Sequence, residues 1–481
     1  MPNLKQQSVK LFVLAAFFLT FQTNAFPQNS KRWSLNSDRG ITWTSNGKPH
    51  TDHIEMSGLQ VSAIINYGVA DNGELILKKK LVYPMLRTIP NNTHASLSKD
   101  FNDYKLLAIS VNNQNLVEYP QSFSIKGNLV ITSKTNTAVQ VKRTLLPSVD
   151  KAALIELIEL KNTGKTSCTL NINNSIPVIE TDAAKGVYGK YIIKAQTTDD
   201  GQRQILPGDS FRFTVAYSGR KSSDEEYYFD GVYEQGKRKQ FVDEVFNNLV
   251  LETPNDTINR EFAFAKLRTT ESIYDTKGGL MHGPGGGAYY AAIWANDQAE
   301  YANPFFPFLG NLNGNQSAIN SYRMFARYMN PEYKPIPSSI IAEGTEMWNG
   351  AGDRGDMAMI AYGASRFAMA TGDKATAERL WPLIRWCLEY LETQKAPEGV
   401  IKSNSDELEG RFPAGKINLS TNSLAYGGYI SAANLADALG KKDLGTDYRS
   451  KAKIYAQLSI NTLARQYRGL TLTGITMVTT S

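Results

Sequence analysis

The hydrophobic period of this chain changes once, near residue 256, and that change fixes what it can fold into. From about Trp33 to Tyr217 apolar and polar residues alternate in short runs. Leu59-Gln-Val-Ser-Ala-Ile-Ile, Asn128-Leu-Val-Ile-Thr, Leu154-Ile-Glu-Leu-Ile-Glu-Leu and Phe211-Arg-Phe-Thr-Val-Ala-Tyr are examples. Asp71-Asn-Gly, Asn162-Thr-Gly-Lys and Asp199-Asp-Gly punctuate them as turns. A period of two with many short β-branched runs predicts an antiparallel β-sandwich over 26–220. A charged stretch, 221–255, is expected to connect it to the helical part of the chain. From Asp256 the apolar residues recur at helical spacing, and in Asp356–Ala370 Met357, Ile360, Ala361, Ala364, Phe367 and Ala368 share one face. Roughly seven helices are expected after Asp256, joined alternately by tight turns such as Thr371-Gly372-Asp373 and by long Gly/Pro/aromatic loops. Such alternation predicts helical hairpins arranged in a ring.

The first residues carry an address. Lys5 and Lys10 precede the apolar run Leu11–Phe21, and Thr23-Asn24-Ala25 supplies small residues at a cleavage site. The run is too short to span a bilayer, so 1–25 reads as a signal peptide, with a secreted or periplasmic product. No later segment holds eighteen consecutive apolar residues, so no membrane span is expected in the mature chain. The formal net charge of +6 is spread along the chain with no Lys/Arg block, which argues against nucleic acid. Cys168 and Cys387 read as buried free thiols. The four His have no metal-ligand spacing, and no metal or cofactor is expected.

Three segments could carry chemistry. In the first, Gly283-Pro-Gly-Gly-Gly leads into Trp294-Ala-Asn-Asp297. No Lys-Ser/Thr comes after the glycines, so this is not a phosphate loop. Trp294 could stack on a sugar ring while Asp297 binds its hydroxyls, or Asp297 could simply cap a helix. The second is Glu343-Gly-Thr-Glu346-Met-Trp348-Asn-Gly-Ala-Gly-Asp353-Arg354-Gly-Asp356, where Asp353 or Asp356 could cap the next helix, but one cap leaves Glu343, Trp348 and Arg354 unexplained. The third, Asp406-Glu407-Leu-Glu409-Gly-Arg411, is either an acidic surface loop or the source of a proton donor. Glycoside hydrolysis needs one protonated carboxyl at the leaving oxygen and a second on the opposite face.

Together these loops resemble the six-hairpin glycosidase superfamily, most nearly its glucoamylase-like members with an N-terminal β-sandwich. The resemblance covers Asp256 to about Arg465. Trp294-Ala-Asn-Asp297 looks like the family's Trp-x-x-Asp sugar-binding element. The Asp406-Glu407-Leu-Glu409-Gly loop falls where the family keeps its general acid in a Trp-Glu-Glu-x-x-Gly setting. No Trp precedes it here, so the acid is one of Asp406, Glu407 and Glu409, with Glu407 favoured. Asp353-Arg354-Gly-Asp356 has no counterpart and points to a distinct branch. The resemblance implies an inverting two-carboxylate glycoside hydrolase acting on oligo- or polysaccharide, with Trp294 and Asp297 at the substrate; the loop compositions themselves add Glu343, Trp348, Asp353, Arg354 and Arg411 as candidate substrate-binding residues.

The family closes a ring of twelve helices and keeps its base before the twelfth. Twelve helices with loops need on the order of 350 residues, against the 226 available from Asp256. The tail from Gly469, with five Thr, no charge and no helical period, reads as interrupted or out of frame, or else as an edge strand. The expectation is therefore an incomplete toroid whose base lies beyond Ser481. Two alternatives stand beside the hydrolase: an inactive carbohydrate-binding remnant, and a polysaccharide lyase or disaccharide phosphorylase on the same architecture.

Overall fold

The computed structural model describes residues 32–101, 107–174, 178–283, 292–343, 346–348, 350–409, 411 and 415–466. The expected signal peptide and the Thr-rich tail lie outside them, as does most of the Gly-rich run after Gly283.

The alternating region forms a β domain. Its nine-stranded antiparallel sheet runs in space through Trp33–Leu35, Ile41–Thr44, Glu118–Ile125, Leu129–Thr135, Val139–Pro147, Ala153–Asn162, Ser210–Lys221, Tyr191–Thr197 and Ile179–Glu180. Two four-stranded sheets accompany it, one built from His50–Gly58, Val61–Val69, Leu75–Arg87 and Ser96–Phe101. The other holds Gly201–Ile205, Cys168–Asn174, Leu107–Val111 and Gln114–Asn115. Inward residues of all three, among them Phe123, Leu145, Ile158, Ile65, Leu81, Leu170 and Ile172, make one core. This is the packing that a period of two dictates. A charged pin crosses that core: buried Glu156 meets Lys79 at 2.9 Å and Arg143 at 2.6 Å. Cys168 and Cys387 are buried and unpaired.

Eight helices come next among the described residues: α1 Gly231–Asn247, α2 Asp256–Glu271, α3 Asn303–Leu309, α4 Leu312–Ala326, α5 Asp356–Thr371, α6 Lys374–Thr393, α7 Leu419–Ala438 and α8 Lys442–Gln466. None is long and apolar enough to cross a membrane. A π-helical segment, Asn296–Ala302, runs directly into α3. The turn foreseen at Thr371-Gly372-Asp373 is present. Gly372 ends α5 at φ +64°, and the Asp373 carboxylate accepts from the backbone N–H groups of Ala375 and Thr376 to start α6. Helix α5 is nearly apolar all round because it lies between α6, α7 and the π-helical segment. A side chain at Gly363 would collide with the Ala299 carbonyl, so glycine sets how closely α5 meets that segment.

The stretch expected as a connector differs, because much of it is α1. Charge disguised this helix, since its buried face includes Glu234 and Arg238 beside Val242, Val245 and Phe246. Glu234 accepts from Ser148 Oγ at 2.7 Å and from Lys151 Nζ at 2.7 Å. Arg238 donates to the carbonyls of Gly127 at 2.8 Å and Ser57 at 2.9 Å, and pairs with Glu271 of α2. Helix α1 thus fastens the β domain to the helices by buried polar contacts, each satisfied at both ends.

Candidate active site

A small antiparallel sheet builds the site's aromatic wall. Trp294 and Trp348 both pair with Ser339, from strands on either side of it. Equal register puts both indoles on one face of the sheet. Their ring centroids are 5.3 Å apart. The Arg354 guanidinium, fully buried, lies 5.5 Å from the Trp294 ring and 5.8 Å from the Trp348 ring.

Arg354 also joins three chain segments. It reaches Asp356 Oδ1 at 3.1 Å, Glu409 Oε1 at 2.9 Å and Asn296 Oδ1 at 3.4 Å. Glu409 is meanwhile held at φ +58°, a left-handed conformation unusual for a residue with a side chain. Its other oxygen is 3.6 Å from the exposed Arg411. Both ends of the Glu409 carboxylate are therefore engaged by arginine.

Beneath Arg354, Asp353 stitches two loops together. Its carbonyl accepts from Asn404 N at 2.8 Å and Ser405 N at 3.1 Å, and its own N–H donates to Asn404 Oδ1 at 2.9 Å. Its carboxylate takes the N–H groups of Gly355 and Asp356 at the start of α5, at 2.8 and 3.2 Å, and the Tyr390 hydroxyl at 2.9 Å. The capping role foreseen for either aspartate thus falls to Asp353, while Asp356 accepts from Ser338 and Arg354. Burial, with the Asp356 charge beside it, pushes Asp353 up to about 6. Asn418, the N-cap of α7, secures the far side of the same loop through Ser403 Oγ at 2.8 Å and Ser405 O at 3.2 Å.

The carboxylates gather on this frame. Asp297, Glu300 and Tyr301 stand at i, i+3 and i+4 of the π-helical segment and so share a face. The Tyr301 hydroxyl donates to Glu407 Oε2 at 3.1 Å. Glu300 lies beside the same Glu407. Burial first, then the Glu407 charge and a hydrogen bond to it, push Glu300 up to about 7. Glu300 therefore keeps a proton up to about neutral pH, beside the Glu407 carboxylate. Asp297 is also raised, by burial and then by Glu407 and Glu409, with Arg354 opposing. Burial and the neighbouring carboxylates push the Tyr301 hydroxyl up as well.

Of the residues expected at the site, Trp294, Asp297, Trp348, Asp353, Arg354, Glu407 and Glu409 come together, with Arg411 at the edge. Asp406 turns the loop, its carboxylate accepting from Leu408 N at 2.9 Å. Glu343 lies elsewhere, beneath a cavity against the β domain. Glu300 was not foreseen, although its i+3 spacing from Asp297 carried the signal. The arrangement offers a raised carboxyl beside a second acid, with a buried cation, flanked by two indoles, ordering the neighbouring loop.

No protein-family model and no curated protein matches this sequence. Solved structures do. A candidate kojibiose phosphorylase from the human microbiome superposes with a TM-score of 0.53 at 10% identity, covering 88% of this chain and 70% of that one. A bacterial glucoamylase complexed with acarbose gives 0.46 at 12%, covering 86% and 68%. The fold is the one expected in outline, an antiparallel β domain followed by helical hairpins, and it is shared with the first of these structures.

Proposed function

We propose that the chain is a carbohydrate-active enzyme that cleaves a glycosidic bond of an oligo- or polysaccharide, with Glu407 as proton donor to the leaving oxygen. The observation that carries this reading is the Glu300–Glu407 pair. Asp297, near Glu407 and Arg354, offers a further carboxylate for hydroxyls, and the half-buried Trp348, flanking Arg354, is the indole that could stack on a ring. A general acid needs a proton at hand at the working pH, and Glu300, raised to about 7, holds one beside Glu407. Tyr301 orients Glu407 through its hydroxyl. Arg354 and Glu409 act as positioning residues that hold the acid loop against the Trp wall. Inversion at the anomeric carbon and export through residues 1–25 belong to the same proposal.

A second reading shares this acid and changes the nucleophile. The candidate kojibiose phosphorylase is a fold relative with a TM-score above 0.5. In phosphorolysis the incoming phosphate is already an anion and needs no activating base, so an acid cluster and an aromatic floor would serve it equally well.

The test is incubation of the chain with disaccharides and aryl glycosides, with and without inorganic phosphate. Free reducing sugar in both conditions supports the hydrolase; a sugar 1-phosphate formed only with phosphate supports phosphorolysis. Glu407→Gln should cut turnover of unactivated disaccharides by about 10²–10⁴-fold, and aryl glycosides with good leaving groups much less. Sugar binding without turnover by any route would sink the enzymatic reading. An unsaturated product would replace it with a lyase.

A further inference from the structure

A cavity of about 430 Å³ opens where the β domain meets the helical domain, and it shares no residue with the acid cluster. Arg220, Lys221 and Tyr227 line it from the end of the β domain, with Tyr188 beside them; Lys277 and Glu343 line it from the helical side. Its size and its place at a domain junction are those of small-molecule sites.

The lining is polar and its charges are unevenly committed. Glu343 is buried with both oxygens in use: Oε2 accepts from the Tyr188 hydroxyl at 2.7 Å, and Oε1 from the Lys277 backbone N–H. Its charge is faced from behind by the fully buried Arg87. Among the described residues, the three cations have no carboxylate within ion-pair distance. Arg220 donates only to the backbone carbonyls of Lys221 and Asp224, at 3.3 and 2.7 Å. Lys221 places its ammonium 4.6 Å from the centre of the Tyr188 ring. The lining also holds Asp224 and Asp275, which like Lys277 are exposed to water that screens them. The half-buried cations Arg220 and Lys221 are the ones left to meet an acceptor carrying negative charge.

We propose that this cavity is a second binding site, for a sugar that carries a carboxylate. Arg220, Lys221 and Lys277 take the carboxylate, and Tyr227 lies against the ring as an amphipathic surface. The site is physically joined to the acid cluster. Glu343 sits in the turn between Ser339–Ile341 and Met347–Trp348, so one short hairpin carries Glu343 at its tip and Trp348 at its base. An acidic branch or terminal residue of a glycan can occupy the cavity while another part of the molecule lies elsewhere on the protein.

Binding is measured without turnover, so the cavity's role stands or falls separately from the proposed reaction. Titration calorimetry of the full chain with digalacturonate, cellobiose and inorganic phosphate, at low and at raised salt, tests it. Digalacturonate should bind, weaken as salt rises, and lose about tenfold in affinity in Lys221→Ala and again in Arg220→Ala. Lys221→Arg, which keeps the charge, should bind within a few-fold of wild type. The inference is overturned if digalacturonate does not bind, if cellobiose binds as tightly, or if the two alanine variants bind like wild type. Binding of phosphate with equal affinity would also overturn it, reducing the site to a general anion trap.

Discussion

Glu409 Oε1 accepts from the Arg354 guanidinium at 2.9 Å while its own backbone stands at φ +58°. A left-handed residue with a side chain costs on the order of 1–2 kcal/mol, and the ion pair to a wholly buried arginine opposes that cost. The pair therefore sets the shape of the loop that presents Glu407, two residues earlier.

Removing the arginine should be felt throughout this frame. Arg354→Met leaves Asp356 buried and without its cation, and breaking such a pair typically costs about 3–5 kcal/mol. Urea unfolding should register a loss of that size. Arg354→Lys keeps the charge but not the fork that reaches Asp356, Glu409 and Asn296 together, so it should recover only part of it.

Glu300 offers a sharper test of the acid. Glu300 is raised to about 7, so if its proton feeds the Glu407 step the alkaline limb of the turnover profile should fall near that value. In Glu300→Gln that limb should be lost or displaced by roughly one unit or more. A limb that stays in place in the variant would show that Glu300 does not set it.

Asp353 makes stability depend on pH with a definite sign. Its carboxyl is raised from 3.8 to about 6 in the fold, so between those values the folded chain binds more protons than the unfolded one. Stability should fall as pH rises from about 4 to 6, by roughly 3 kcal/mol for a two-unit shift. Asp353→Asn, which keeps an oxygen for Gly355 N, should flatten unfolding free energy across this window.

The indole floor can be tested through binding. Trp348→Ala removes one of the two indoles flanking Arg354 and one stacking surface, worth about 0.5–2 kcal/mol as a cation–π contact. The expected result is a higher KM for the sugar with a smaller change in kcat.

The sequence exposed some of this clearly and hid the rest for physical reasons. Helices α5 and α6 were legible because apolar period, Gly372 and Asp373 agree. The chain through Asn303–Leu309 was hidden by Pro304 and Pro307, which read as loop although one serves the first turn and the other is carried inside α3. Helix α1 was hidden because it buries charge, and buried charge looks like surface until its partners are known. Glu300 is one more acid in its local sequence, three residues past Asp297; the partner Glu407, over a hundred residues away, gives that spacing its meaning. Glu343 had the right composition and the wrong neighbourhood, since nothing in its local sequence says that it packs against Tyr188.

The satisfied polar contacts of α1 bear on how such a molecule could be rearranged by recombination. A crossover placed in 221–255, the natural choice for exchanging one half for another, would part Glu234 from Lys151 and Arg238 from the Gly127 and Ser57 carbonyls. A chimera cut there inherits a helix shaped for a host that it no longer meets. Swaps made at this seam should yield insoluble protein unless the donor segment brings its own strands with it.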